Sequence, residues 1–255
     1  MAKCLNKNKD ITINPCYYSF MNDLTILIVS AAFIGIFHTI TGPDHYLPFI
    51  VMSRAKKWPQ SKTFMITVAC GIGHVASSVI IGFAGLALGV VLSKLTFIEG
   101  VRGNIAAWML IGFGLLYAVW GLHRIFIKKQ HVHEHIHESG EFHTHTHNHI
   151  LEHSHVHDVK GKTMTPWVLF LIFVFGPCEP LIPILMYPAA KNSVLGVILV
   201  VAVFGIATIG TMTAIVMTSL WGLKRISFKP LERFSHVIAG FTIFSSGMAI
   251  QLLGL

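Results

Sequence analysis

Long apolar runs separated by short polar connections dominate the pattern of hydrophobic and polar positions along the chain. Six of these runs approach or exceed the roughly 20 residues that an α-helix needs to cross a membrane. The runs are far longer than the strands of a membrane barrel and lack strict alternation, so they predict helices. The predicted spans are 24–41 (continuing, interrupted, to 52), 64–92, 104–127, 167–187, 193–223 and 235–255.

Composition supports the same class of protein. Hydrophobic residues make up 53% of the 255 residues and charged residues only 12%, which is about half the charged share of a soluble domain. The net charge of +8 is not arranged as a basic helix or an aromatic platform, so nucleic acid is excluded as a partner. We expect an integral protein of the cell (inner) membrane, with lipids as partners.

Lysine and arginine are distributed unevenly between the two sides of the predicted bundle. Thirteen of the 19 fall in the connections after the first, third and fifth spans, and six fall in the amino-terminal tail and the other two connections. The positive-inside rule places the richer side in the cytoplasm and both termini outside. Residues 1–23 are then an extracytoplasmic tail, and the loop at 128–166 is cytoplasmic.

An internal repeat divides the chain. The sequence GPDHYL at 42–47 matches GPCEPL at 176–181, and Gly71-Ile72 matches Gly205-Ile206, with an offset of 134 residues in both cases. The matches predict two three-helix repeats, at 24–127 and 167–255. Because each repeat has an odd number of spans, the two are inverted in the membrane, an architecture typical of secondary transporters. The predicted fold class is therefore an all-α membrane protein with six transmembrane helices in two inverted three-helix repeats.

Each Gly-Pro pair predicts a break in the first helix of its repeat, at Gly42-Pro43 and at Gly176-Pro177. Proline cannot donate a backbone hydrogen bond and disfavours helical conformation at the residue before it. A charged side chain at mid-bilayer costs roughly 2.5–3.5 kcal/mol, so polar residues at such breaks are usually functional. Asp44 and Glu179, one after each break, are the only acids that we place within the predicted spans.

The polar residues around the two breaks predict a metal site. Imidazole, carboxylate and thiolate together suit Ni²⁺, Co²⁺ or Zn²⁺, whereas Mg²⁺ and Ca²⁺ prefer oxygen alone. Two alternatives stay open: His74 can instead make an interhelical hydrogen bond, and Cys178 and Glu179 can be structural. The predicted ligands are His38, Asp44, His45, His74, Cys178 and Glu179.

The cytoplasmic loop is rich in histidine, with eleven histidines in the 27 residues from 131 to 157. Such a polar, low-complexity tract predicts a disordered segment. Imidazoles that are mostly neutral in cytosol bind transition metals, so we expect accessory metal capture here, with a cytosolic metal chaperone as a further candidate partner. The capture residues are His131, His133, His135, His137, His143, His145, His147, His149, His153, His155 and His157.

Short motifs carry a family resemblance. HTITGPDH at 38–45 and GIGH at 71–74, together with six spans and a His-rich loop, resemble the nickel/cobalt transporters of the NicO type and the urease-accessory UreH-like membrane family. GPCEPLIP is similar to the wider superfamily of lysine, sulfite and reductant exporters. The resemblance implies that His38, Asp44, His45 and His74 carry nickel or cobalt. Five residues separate His38 from Asp44 where the classical permeases have four, which favours the UreH-like branch.

These observations predict a secondary transporter of divalent transition-metal ions, with nickel or cobalt first and zinc as a further candidate, acting in efflux. We expect neither a permanently bound cofactor nor an enzymatic activity. One alternative is an exporter of sulfur or organic oxyanions, for which we would expect an arginine in a span, and we place none there. The other is a membrane thiol-disulfide electron carrier, in which Cys178 would need Cys70 as its partner.

Overall fold

Helices form almost all of the structure, a computed structural model that describes residues 15–126, 131–136, 142–147, 164–190, 193–224 and 229–253, with side chains for 23–126, 164–189, 193–223 and 232–252. Two 3-10 helices, Pro43–His45 and Lys229–Phe234, and two strands, β1 (His131–Ile136) and β2 (Phe142–His147), complete it. The α-helices are α1 (Pro15–Thr41), α2 (Leu47–Ala55), α3 (Gln60–Ala87), α4 (Leu92–Phe126), α5 (Thr165–Phe175), α6 (Leu181–Ala190), α7 (Val194–Lys224) and α8 (Ser235–Leu253).

Five of the described helices, α1, α3, α4, α7 and α8, are long and apolar enough to cross a membrane. Large apolar side chains cover their outer surfaces; Phe33 and Ile206, for example, are 65% and 74% exposed. Hydrocarbon is the solvent that suits such surfaces. An α-helical membrane protein is thereby confirmed, while a sixth crossing by α5 and α6, the inverted repeat and the orientation stay predictions.

Both Gly-Pro pairs interrupt helices, as the sequence predicts. α1 ends at Thr41, the 3-10 turn Pro43–His45 follows, and α2 begins at Leu47. In the second half, α5 ends at Phe175 and α6 begins at Leu181. The missing proline N–H and the restriction of the preceding glycine explain both breaks.

The third predicted span begins too late. The sequence predicts 104–127 with Arg102 in the preceding connection, but α4 begins at Leu92, and only residues 88–91 separate it from α3. Glu99 and Arg102, three residues apart on α4, form an ion pair. Mutual neutralisation lowers the cost of holding both charges in an apolar helix. Likewise, α1 begins at Pro15, within the predicted tail.

Part of the His-rich loop differs from the predicted disorder. β1 and β2 form an antiparallel hairpin in which His131, His133 and His135 pair with His147, His145 and His143, respectively. The reason is a period of two, with histidine alternating with valine, threonine or glutamate, which is a strand pattern. His137, His149, His153, His155 and His157 lie outside the described residues.

Helices α4 and α8 approach each other closely at glycines. A methyl group added to Gly114 would contact the backbone of Phe244, and one added to Gly240 would contact the backbone of Ala118. Small residues allow this close approach, which gives van der Waals contact between membrane helices. The crossing fixes α4, which forms one wall of the site described below.

At one end of α4, aromatic rings hold the end of α2. Lys56 Nζ lies 5.2 Å from the centre of the Trp120 ring and 5.6 Å from that of Tyr117, within the range of cation–π attraction. Partial burial and the nearby Arg124 guanidinium lower the pKa of Lys56 below its usual value.

The α4–α8 crossing predicts opposite effects for two neighbouring glycines. Gly114→Ala should lower the thermal unfolding midpoint of the protein in detergent, because overpacking against backbone costs about 1–3 kcal/mol. Gly112→Ala is the matched control, since nothing lies within 4 Å of its added methyl group and alanine favours a helix. Equal midpoints for the two variants would contradict this packing.

Candidate functional site

Three histidines from two parts of the chain meet beside the first break. His38 lies in the last turn of α1, His45 ends the 3-10 turn, and His74 lies in the middle of α3. The ring centres of His38 and His45 are 4.7 Å apart, those of His45 and His74 are 5.0 Å apart, and those of His38 and His74 are 6.4 Å apart. The break turns the chain so that His45 reaches His38, seven residues earlier.

Each of these rings has a buried nitrogen without a hydrogen-bond partner. The atoms are Nε2 of His38, His45 and His74. His45 and His74 are each only 3% exposed. Buried polar atoms in proteins normally have partners, so these three nitrogens could together bind a ligand that the three rings share.

Hydrogen bonds at the other ring nitrogen fix the orientation of His45. Its Nδ1 lies 3.2 Å from the Gly42 carbonyl oxygen and 3.2 Å from Asp44 Oδ1. The carbonyl can only accept, so Nδ1 carries a proton, and in the neutral ring Nε2 presents its lone pair. Gly42 leaves room for this ring, because a methyl group there would lie 2.5 Å from Nδ1. A carboxylate and a carbonyl behind a histidine are the usual outer partners of a metal ligand.

His74 is oriented in the same way by the second break. Its Nδ1 lies 3.3 Å from the Phe173 carbonyl oxygen at the end of α5, so its Nε2 also presents a lone pair. A methyl group on Gly176 would lie 3.1 Å from His74 Nδ1. The glycine of each Gly-Pro pair thus leaves space for one histidine of the cluster.

The spacing of the three rings suits a metal ion. One ring nitrogen from each histidine lies within 4.8 Å of the others, so a point at the centre is at most about 2.8 Å from each. Zinc binds histidine nitrogen at about 2.0–2.1 Å, and shifts of about 0.7 Å would bring the three ligands to that distance.

A cavity of about 160 Å³ beside the rings joins the two breaks. Its lining includes the three histidines and Asp44, together with Gly176, Pro177 and Glu179 from the second break and Gly103 of α4. Glu179 therefore shares the cavity but is not one of the three clustered ligands. Asp44 contacts His45, and the Asp44 side chain is 25% exposed.

Cys178 lies apart from the histidines in its packing. Its side chain is fully buried among Ala31, Val75, Leu181 and Phe204. Its backbone N–H donates to Glu99 Oε2 at 3.1 Å and to Ser78 Oγ at 3.2 Å. The structure thus brings together His38, His45 and His74 with Asp44 beside His45, places Glu179 in the lining of the same cavity, and leaves Cys178 in an apolar cluster.

The sequence analysis did not predict a buried ion pair between Glu99 and Arg102. Each of these residues corrects one earlier prediction. Glu99 is fully buried in α4 and pairs with Arg102, so Asp44 and Glu179 are not the only acids in the spans. Arg102 is an arginine in a span, but Glu99 neutralises its charge, so it provides no free cation for an oxyanion. The spacing of Glu99 and Arg102, three residues apart beside an apolar run, was the signal that could have revealed the pair.

One known family matches most of the chain. A family model described as cytochrome C biogenesis protein transmembrane region matches residues 45–247, about four fifths of the length. The chain belongs to this cytochrome c biogenesis family. Searches of curated proteins and of solved structures found no significant match. The part that matches the family model contains His45, His74 and the Glu99–Arg102 pair, and His38 precedes it.

Membership of the cytochrome c biogenesis family overturns the assignment to the nickel/cobalt transporters and UreH-like proteins. The sequence-specific part of that assignment was a few short motifs, the longest of eight residues, whereas the family model covers helices from both halves. Short His-Asp motifs record local chemistry, which unrelated folds can share. The preference for nickel or cobalt loses the support of that assignment, and the direction of transport stays a prediction.

The ring geometry predicts that the purified protein binds Co²⁺ at the histidine cluster. His38→Ala, His45→Ala and His74→Ala should each weaken binding by more than about 100-fold, beyond the usual effect of an outer partner. Titration followed by the visible absorption of Co²⁺ measures this directly. His123→Ala, in the exposed last turn of α4, is the control and should leave this binding unchanged. Equal affinity in all four variants would exclude the cluster as a metal site.

Proposed function

We propose that this membrane protein of the cytochrome c biogenesis family binds a divalent transition-metal ion at His38, His45 and His74 and carries it across the membrane. The observation that supports this most strongly is the set of three buried Nε2 atoms without hydrogen-bond partners. Two of the three rings are held by hydrogen bonds at Nδ1.

Neutral imidazoles favour particular ions. Borderline cations such as Zn²⁺, Ni²⁺, Co²⁺ and Cu²⁺ bind imidazole well, whereas Mg²⁺ and Ca²⁺ prefer oxygen. Asp44 supports this choice, because its carboxylate offsets one of the two positive charges through His45. The proposal names the class of ion and leaves the choice among its members to experiment.

The cavity supports a path to the site. Glu179 lines the same cavity as the histidines and offers a carboxylate to an approaching cation. The ion would exchange water for the three rings, with Asp44 and the carbonyl groups of Gly42 and Phe173 behind the rings. In the predicted inverted arrangement, the two broken helices could expose this site to each side in turn.

The transport proposal predicts separable effects in liposomes. His45→Ala should abolish metal flux, because it removes a central ligand. Deletion of residues 131–157 should lower only the apparent affinity, because the loop histidines serve accessory capture. Flux is measured with a metal-sensitive dye inside the vesicles. Full flux by the His45→Ala protein would contradict the proposal.

A second candidate is thiol-disulfide electron transfer, which the description of the family favours more than it favours transport. Cys70 and Cys178 are both buried and free, and they belong to different apolar clusters. The Cys178 N–H lies beside Ser78, which is eight residues, or about 12 Å along the axis, from Cys70 on α3. A disulfide needs Cα atoms within about 7 Å, so this pair would have to move several ångströms to react.

Serine variants separate the two candidate functions. If the protein handles metal ions, Cys70→Ser and Cys178→Ser should leave Co²⁺ binding and flux near the native values. If it carries electrons, the same changes should abolish reduction of a disulfide in a partner protein, while metal binding persists. Alkylation of free thiols before and after exposure to a dithiol reductant measures the redox state of each cysteine. A native level of partner reduction by both variants would exclude these two thiols as the carriers.

A further inference from the structure

We infer that the Glu99–Arg102 ion pair of α4 positions His74 for metal binding by holding the second break in place. The inference rests on the proposed metal site and adds two positioning residues to it. Neither contacts the three clustered nitrogens. Both act through the backbone of residues 173–178.

Arg102 holds the carbonyl groups that precede the break. Its Nη2 donates to the carbonyl oxygen of Val174 at 2.8 Å and lies 3.3 Å from that of Gly176. The last carbonyls of a helix have no partner within the helix, and Pro177 supplies no N–H to continue it. The guanidinium therefore satisfies backbone groups that the interruption leaves open.

Glu99 holds the amide that follows the break. Its Oε2 accepts from the Cys178 N–H and from Ser78 Oγ, while Oε1 pairs with Arg102. The two side chains thus bind the chain on both sides of Pro177, and their charges cancel within the helix that carries them.

The same pair fixes the distance between α3 and α5 where His74 lies. Arg102 Nη2 also donates to Ser77 Oγ at 2.7 Å, and Nη1 donates to Ser78 Oγ at 3.2 Å. These serines are one turn of α3 from His74, and Val174 follows directly on Phe173, whose carbonyl accepts from His74 Nδ1. A shift of this end of α5 would remove the acceptor that orients His74.

Among the described residues, the backbone hydrogen bonds at the first break come from neighbours in sequence. Gly42 N donates to the His38 carbonyl, and His45 N donates to the Gly42 carbonyl, at 3.0 and 3.1 Å. Thr41 Oγ1 also donates within α1. The first break is therefore satisfied by neighbours in sequence, whereas the second depends on α4. This difference makes the ion pair specific to the orientation of His74.

The test is Co²⁺ titration of the full-length protein in detergent, with visible absorption as the readout. Arg102→Lys keeps the charge and loses the planar fork, and Glu99→Gln with Arg102→Met removes both charges together. We expect each to raise the dissociation constant about 10–100-fold, as loss of an outer partner does, and to change the Co²⁺ spectrum as water replaces His74. Gln251→Leu is the matched control, because it breaks a polar contact to Asn104, two residues from Arg102.

A double-mutant cycle separates positioning from general stability. In a His74→Ala background, Arg102→Lys should cause no further loss, because the ligand that it positions is gone. The inference would be overturned if the losses of Co²⁺ affinity from the two substitutions add in full. It would also be overturned if the folded variants keep the native dissociation constant and Co²⁺ spectrum. Neither result would contradict the metal site itself. If Arg102→Lys does not fold, the neutral double variant decides. A native protein that binds no Co²⁺ would overturn the proposed function itself.

Discussion

The absence of water in the membrane core is the constraint that organises this protein. The backbone N–H and C=O groups that a broken helix releases must find partners within the protein or in a cavity that they line. The two Gly-Pro interruptions therefore determine where polar side chains gather. At the first, His45 folds back onto the Gly42 carbonyl; at the second, His74 and Arg102 reach the carbonyls at the end of α5. The site arises from the way these open backbone groups are satisfied.

That arrangement joins parts of the chain that are far apart in sequence. α1, the 3-10 turn and α3 supply the three rings, α5 supplies the acceptor behind one of them, and α4 supplies the ion pair that holds α5. A change in the backbone at either break would therefore alter the geometry of the same three-histidine cluster. Membership of the cytochrome c biogenesis family describes the membrane-spanning part of the chain, whereas the chemistry of the site depends on the residues that line it.

Sequence reasoning identified the helical membrane class, both breaks and the three histidines that come together, because apolar length, Gly-Pro pairs and isolated polar residues are local signals. The Glu99–Arg102 pair was not predicted, because two charges three residues apart made the start of α4 resemble a polar connection. The β1–β2 hairpin escaped because composition was weighed above its period of two. The separation of Cys178 from the rings depends on tertiary packing, which no local pattern records.

We propose that the three histidines with unpartnered ring nitrogens, His38, His45 and His74, together hold one metal ion. The most direct measurement is a structure of the protein prepared with Zn²⁺, with anomalous scattering recorded on both sides of the zinc absorption edge. We expect one anomalous peak that depends on the zinc edge, between His38, His45 and His74 and about 2.0–2.1 Å from a nitrogen of each ring. A peak found only elsewhere, or no edge-dependent peak with the three rings well ordered, would contradict it.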